Sequence, residues 1–185
     1  VIEGFNPRVM NDEYRAHIRS TADSIKSEGY FQDQPMAGYV AVVDGENVVF
    51  IYSGHTRLAA VLLAISEGAE IPRVPVVVSQ SGLSMEDMTV ALIRGNGGRE
   101  LTYYESAVVC KRLVKYGFTV EEIAARTGIT VPLVKNRLAL MAAPLKLREM
   151  VANDSMSATL AIDLIATHGD KAVGKAVEAK ARADE

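Results

Sequence analysis

The stretch that most narrows what this chain can fold into is VEEIAARTGITVPLVKNRL, residues 120–138. Thr119 stands three residues before Glu122, the spacing at which a hydroxyl and a carboxylate cap a helix start reciprocally. A short helix to Arg126 follows, and Gly128 permits a tight turn. Thr130 caps the next helix, which carries Pro132 in its first turn and runs to about Met141. Ile123 and Ala124 face inward from the first helix, and Ile129, Val134 and Leu138 hold the second against it. Small, glycine and apolar positions at these offsets predict a helix-turn-helix. Thr130, Val131, Leu133, Lys135, Asn136 and Arg137 remain for DNA or solvent. Thr130 and Lys135 suit phosphates, while Asn136 and Arg137 suit base edges. The competing reading is a purely structural helical hairpin.

Charge decides between them only when its distribution is considered. A net charge of −3 argues against nucleic acid for the chain as a whole. Residues 111–148, however, hold 8 Lys and Arg against 2 Asp and Glu, whereas residues 1–100 hold 8 against 13. A local basic region in an acidic chain is the footprint of a DNA-binding module.

Around this motif the pattern is helical from Leu101 onward. Thr102 and Glu105 form a second capping-box spacing, for a helix ending near Tyr116. Further helices are predicted near Leu145–Val151, Ser157–Thr167 and Asp170–Ala183. Cys110, the single cysteine, excludes an intramolecular disulfide and a zinc cluster; it reads as a small buried residue, and a reducing, cytoplasmic setting fits.

The first hundred residues mix strands with helices. Asp12 is expected to cap a helix through Tyr14, Ile18, Ala22 and Ile25, ended by Gly29. Tyr39–Val43 and Val48–Tyr52 read as strands joined by an Asp44-Gly45 hairpin turn. A short strand, Val74–Val78, and a helix from Ser84 to about Arg94 follow. The fold class is therefore α+β: a small mixed domain over 1–100, then an all-α helix-turn-helix domain over 101–185. No apolar run reaches membrane-spanning length, so no membrane partner is expected. The chain starts at Val1 without a signal-peptide pattern and reads as a segment of a longer protein.

Two stretches carry further chemistry. In Ser53-Gly54-His55-Thr56-Arg57 a glycine sits where a strand turns into a helix, whose Leu58, Val61, Leu62 and Ile65 recur at helical spacing. The unpaired N–H groups of that helix start, with Arg57 and a contact from His55, read as a phosphate cradle; a turn glycine beside a solvated arginine is the plainer reading. In Arg94-Gly95-Asn96-Gly97-Gly98-Arg99, Arg99 supplies a phosphate partner and Asn96 an oxygen for a hydrated cation; a flexible linker is the alternative. His17 and His168 read as surface or packing residues, and no Ser/His/Asp set or metal-ligand spacing stands out.

Gly54-His55-Thr56-Arg57 before an alanine-rich helix resembles the phosphate box, G-E-R-R or G-H-R-R, of the ParB family of partition proteins. Asn96, Arg99, Leu101, Thr102 and Glu105 match the family's E-N-x-x-R and D/E-L-[ST]-x-x-E. Asn6-Pro7-Arg8 and Gln34-Pro35 resemble its domain start, and Asn136 matches a family position in the helix-turn-helix. The resemblance covers most of residues 1–165. It implies a CTP-binding amino-terminal domain, with Arg8, Gly54, His55, Thr56, Arg57, Asn96 and Arg99 at the nucleotide and Asn96 at Mg²⁺. It also implies a homodimer that closes as a clamp on a specific double-stranded DNA site, and a ParA-type ATPase as partner. Thr130, Val131, Lys135, Asn136 and Arg137 are the DNA candidates, and the location is cytoplasmic, on nucleoid or plasmid.

Two departures accompany these matches. Thr56 replaces an arginine of the phosphate box, which implies lower affinity. Gly95 replaces a glutamate, which implies CTP turnover that is slow or absent. A transcriptional repressor of the same architecture is the alternative function. A sulfiredoxin-like phosphotransferase ranks last, because that enzyme needs a cysteine in the phosphate turn and leaves the helix-turn-helix without a role.

Overall fold

The computed structural model of the chain describes residues 2–79, 83–95 and 99–183. It divides into two compact units, Val1–Gly95 and Asn96–Glu185.

The first unit is α+β. Helix α1, Asp12–Glu28, buries Tyr14, Ile18, Ala22 and Ile25, a stripe spaced about one turn apart. Its cap is Asn11 rather than Asp12: the Asn11 side chain accepts from the Tyr14 N–H at 2.9 Å. Asp12 and Glu13 lie in the first turn, where their charge favours the positive helix end.

Strands β1 (Met36–Val43) and β2 (Glu46–Ser53) pair antiparallel around Asp44-Gly45, both at positive φ, as a two-residue hairpin turn requires. β1 starts three residues ahead of the expected strand because β3 (Val76–Val78) pairs parallel to Met36–Gly38. The sheet order is β2-β1-β3.

Helix α2, His55–Ser66, leaves β2 after a single residue and packs on α1. Its buried face is Ala60, Val61 and Ala64, while Leu62 and Ile65 are exposed. Small side chains on α2 meet Ala22 of α1 in one core, so close approach, not residue size, sets which face is buried. Helix α3, Met85–Arg94, starts at a Ser84–Asp87 capping box and packs against β2.

The second unit is all-helical: α4 (Tyr103–Lys115), α5 (Val120–Thr127), α6 (Val131–Ala142), α7 (Leu145–Ala152), α8 (Ala158–His168) and α9 (Ala172–Ala183). Capping boxes start α4 at Thr102–Glu105 and α5 at Thr119–Glu122. Backbone and hydroxyl bonds from Thr119 hold the Glu122 carboxyl below its usual range. The expected helix over Asp170–Ala183 opens as a single 3-10 turn, Gly169–Lys171, before α9 begins at Ala172. Leu140, Leu147, Ala161, Ala172 and Ala176 are fully buried at the centre of this unit. Cys110 is also fully buried, and burial pushes its thiol up to about 11. Among the described residues no helix is long and apolar enough to cross a membrane.

Candidate nucleotide and nucleic-acid sites

The amino-terminal site is built where β2 becomes α2. Gly54 sits between them at φ 95°, ψ 24°, a left-handed conformation that strains any residue with a Cβ. A Cβ added there would also stand 2.8 Å from Met36 Cγ. The turn and the packing of Met36 thus both require glycine. The first helical bond runs from the Leu58 N–H to the Gly54 carbonyl at 2.9 Å. No side chain caps this helix start and no acidic residue lies in its first turn. It therefore keeps the positive end of its dipole and its leading N–H donors for an anion.

Five side chains gather around that start. His55 lies 6.1 Å from Phe5, ring centre to ring centre. Its Nε2 is buried with no hydrogen-bond partner among the described residues. Burial, aided by the nearby positive charge of Arg8, lowers the imidazole to about 4, so the ring is neutral at neutral pH. A neutral ring carries one N–H and one bare nitrogen; the N–H donates to the Ile51 backbone carbonyl, so the buried Nε2 is an acceptor. Thr56 Oγ1 and the Tyr14 hydroxyl share a hydrogen bond of 3.1 Å. The Arg8 guanidinium lies over the Tyr14 ring at 5.7 Å.

Arg57 does something the sequence did not announce. Its Nη1 donates to the carbonyls of Gln34 and Pro35, the latter at 3.2 Å. The Gln34 carbonyl also accepts from the Tyr30 hydroxyl at 2.9 Å. Arg57 thereby ties the start of α2 to the turn that leads into β1. Phe5, Tyr14 and the two carbonyls were not among the expected site residues. Tyr14 was legible only as core; its hydroxyl, the one polar atom in α1's buried stripe, was the signal available.

Arg8, Gly54, His55, Thr56 and Arg57 are thus brought together. Asn96, expected at nucleotide and metal, lies outside the described residues, as do Gly97 and Gly98. Arg99 is half-buried at the start of the second unit. Gly95 ends α3, its N–H bonded to the Ala91 carbonyl at 2.7 Å. A Cβ there would stand 2.8 Å from that carbonyl oxygen and 3.1 Å from Ser53 Oγ. A carboxylate side chain at this position therefore needs the helix end to shift. Among the described residues no group of three His, Cys, Asp or Glu side chains is placed to hold a metal. The residues present fit an anionic group at the start of α2.

The second site is the α5–α6 pair. Ile123 and Val134 are buried at its centre, and Gly128 closes α5 in a left-handed conformation at φ 80°. Thr127 is buried; its hydroxyl donates to the Ile123 carbonyl at 2.6 Å and accepts from the Ile129 N–H at 3.3 Å, which fixes the turn. Thr130 stands at the cap position of α6, yet its side chain makes no capping bond. Thr130, Leu133, Lys135 and Asn136 are exposed, and Val131 is half-buried. Arg137 is the exception: it is half-buried and engaged with α4. The arrangement is a rigid two-helix unit whose second helix offers a polar, positively charged start to an extended anion.

Comparison with known proteins follows this geometry. A family model described as the ParB HTH domain matches residues 99–183. The curated chromosome-partitioning protein ParB of Myxococcus xanthus is 29% identical over 152 residues, which is 82% of this chain and 47% of that protein. The chain thus spans about half the length of the curated relative it matches. Among solved structures, C-terminally truncated ParB of Caulobacter crescentus complexed to the centromeric parS site matches with a TM-score of 0.59 and 21% identity. That match covers 95% of this chain and 84% of the other, and is a likeness of fold. The same truncated protein complexed with CTP-gamma-S matches at a TM-score of 0.36 and 23% identity, covering 94% and 89%, too low a score to extend the likeness.

Proposed function

We propose, from the premise that this chain belongs to the ParB family, that it is a partition protein which binds a specific site on double-stranded DNA and holds CTP in its amino-terminal unit. The observation that carries this reading is the α5–α6 pair, with its buried seam and its exposed Thr130, Lys135 and Asn136, inside the segment that the ParB helix-turn-helix model matches.

For the nucleotide, the support is the uncapped start of α2 with Thr56 and Arg8 gathered around Tyr14 beside it. Phosphate oxygens would meet the leading N–H groups of α2, with Arg8 and Thr56 alongside. Arg57 would act by fixing the turn at Gln34–Pro35 as well as by its charge. Asn96 and Arg99 join this list through their match to the family's E-N-x-x-R box. Mg²⁺ arriving with the nucleotide is part of the proposal and rests on Asn96.

The finer claims follow from family membership. Two copies close around DNA as a CTP-dependent clamp, a ParA-type ATPase acts on them, and the protein works in the cytoplasm on nucleoid or plasmid DNA. Turnover of CTP is slow or absent, since Gly95 supplies no carboxylate. The test has two arms. Selection from a random duplex pool should enrich one sequence family. Crosslinking with each of the four ribonucleoside triphosphates should favour CTP, more strongly with the selected duplex present. No enriched sequence would overturn the DNA reading, and equal or absent crosslinking would overturn the CTP reading.

A further inference from the structure

Arg137 is held by helix α4 and by its own helix. Its Nε donates to Ser106 Oγ at 2.8 Å, and its Nη1 donates to the Leu133 carbonyl one turn back at 3.2 Å. Its guanidinium lies 4.9 Å over the Tyr103 ring, within cation–π range. Ser106 is 5% exposed, on α4. Its hydroxyl donates to the Tyr103 carbonyl at 2.9 Å, which leaves the oxygen lone pairs for Arg137.

Helix geometry gives the same answer. At about 100° per residue, Arg137 lies only about 60° around α6 from fully buried Val134, whereas Asn136 lies about 160° from it. Asn136 is exposed and Arg137 half-buried, as that placement demands. A second cation acts in the same way farther along: Lys111 of α4 donates to the Met141 carbonyl at 3.2 Å, in the last turn of α6. Helix α4 thus grips α6 at mid-length and at its carboxyl end. Two of the basic side chains that make this segment look like a DNA footprint are engaged inside the unit.

We propose that Arg137 is a positioning residue: given that α6 meets DNA, it sets the orientation of α6 on α4 through Ser106 and Tyr103, and base readout falls to Asn136 and the residues at the start of α6. Arginine suits this role because its planar fork bonds in two directions while its face stacks on tyrosine. Removing it leaves the Ser106 and Tyr103 contacts unmade without taking away any group aimed at a base.

Arg137→Ala and Ser106→Ala, singly and combined, provide the test. A buried serine in α4 touches no base, so Ser106→Ala should reproduce the effect of Arg137→Ala if the pair acts as one clamp. Thermal melts of the free protein should show coupling, the double variant melting close to the lower single variant. Binding to a duplex selected with the wild type, measured well below the melting point, should fall about tenfold in both single variants, the scale of a lost charge-assisted bond. Affinities for duplexes changed one base pair at a time should fall in parallel, leaving the preference at every position as in the wild type. If Arg137→Ala fails to fold, Ser106→Ala carries the same profile. Loss of preference at one or two base pairs in Arg137→Ala, wild-type binding by Ser106→Ala, or additive melts would each overturn the proposal. A wild type that selects no sequence would overturn the DNA reading instead, and the melts would still decide the clamp.

Discussion

Helices α2 and α6 begin alike in one respect and oppositely in another. Both start without a side-chain cap, as α7 does at Pro144, whereas α1, α3, α4, α5 and α8 each have one. At α2 the reason is covalent, since Gly54 has no side chain to offer. At α6 it is conformational, since Thr130 has a hydroxyl and does not use it. The surroundings then diverge. The start of α2 is lined by Phe5, Tyr14 and a buried neutral imidazole, an enclosed setting for a small anion. The start of α6 is exposed, with Lys135 and Asn136 on the solvent side, an open setting for a polyanion. An unsatisfied helix start says only that an anion is welcome; burial and neighbouring side chains say of which size.

The sharpest way to break this contrast is Gly54→Ala. Left-handed strain and the 2.8 Å approach to Met36 together should cost about 3–4 kcal/mol in urea denaturation. A near-neutral Gly54→Ala would show that the turn is not as tight as described.

Next comes pH. The His55 pKa in the folded protein, about 4, lies below its unfolded value near 6.5. Stability from the neutral ring is fully present above pH 6.5 and is lost as pH falls toward 4. His55→Gln should remove that slope between pH 6.5 and 4. An unchanged slope would place the titration elsewhere.

Substitutions on α6 should be smaller and should separate by kind. Asn136→Ala should take about 2 kcal/mol from affinity for the selected duplex and little from random DNA. Lys135→Ala should weaken both alike and lower the salt slope by about 1. Thr130→Ala should change stability by less than about 0.5 kcal/mol, where a working cap would cost about 1 kcal/mol. A larger loss on melting would mean that the hydroxyl caps α6 after all.

What the sequence revealed and what it hid have separate physical causes. The capping boxes at Thr102 and Thr119 were legible because each is a local bond between residues three apart. The hairpin turn and Gly128 were legible for the same reason. The first cap was misplaced by one residue because Asn11 and Asp12 are both good caps, and only backbone conformation separates them. The roles of Arg57 and Arg137 were hidden because each depends on a partner distant in sequence, Gln34–Pro35 for one and Ser106 for the other. A charged residue in a motif reads as a ligand contact until its tertiary partner is known. Of the apolar residues whose period marked α2, Val61 is buried while Leu62 and Ile65 are exposed, because packing on α1 selects Ala60, Val61 and Ala64.

The central claim, that two uncapped helix starts serve two different anions, is tested most directly by backbone amide chemical shifts in paired titrations. CTP with Mg²⁺ should move the amides of Gly54, His55, Thr56 and Arg57 and leave Thr130–Asn136 in place. The selected duplex, added alone, should move Thr130, Val131, Lys135 and Asn136. CTP that leaves residues 54–57 unmoved, or a duplex that leaves the start of α6 unmoved while binding elsewhere, would contradict it.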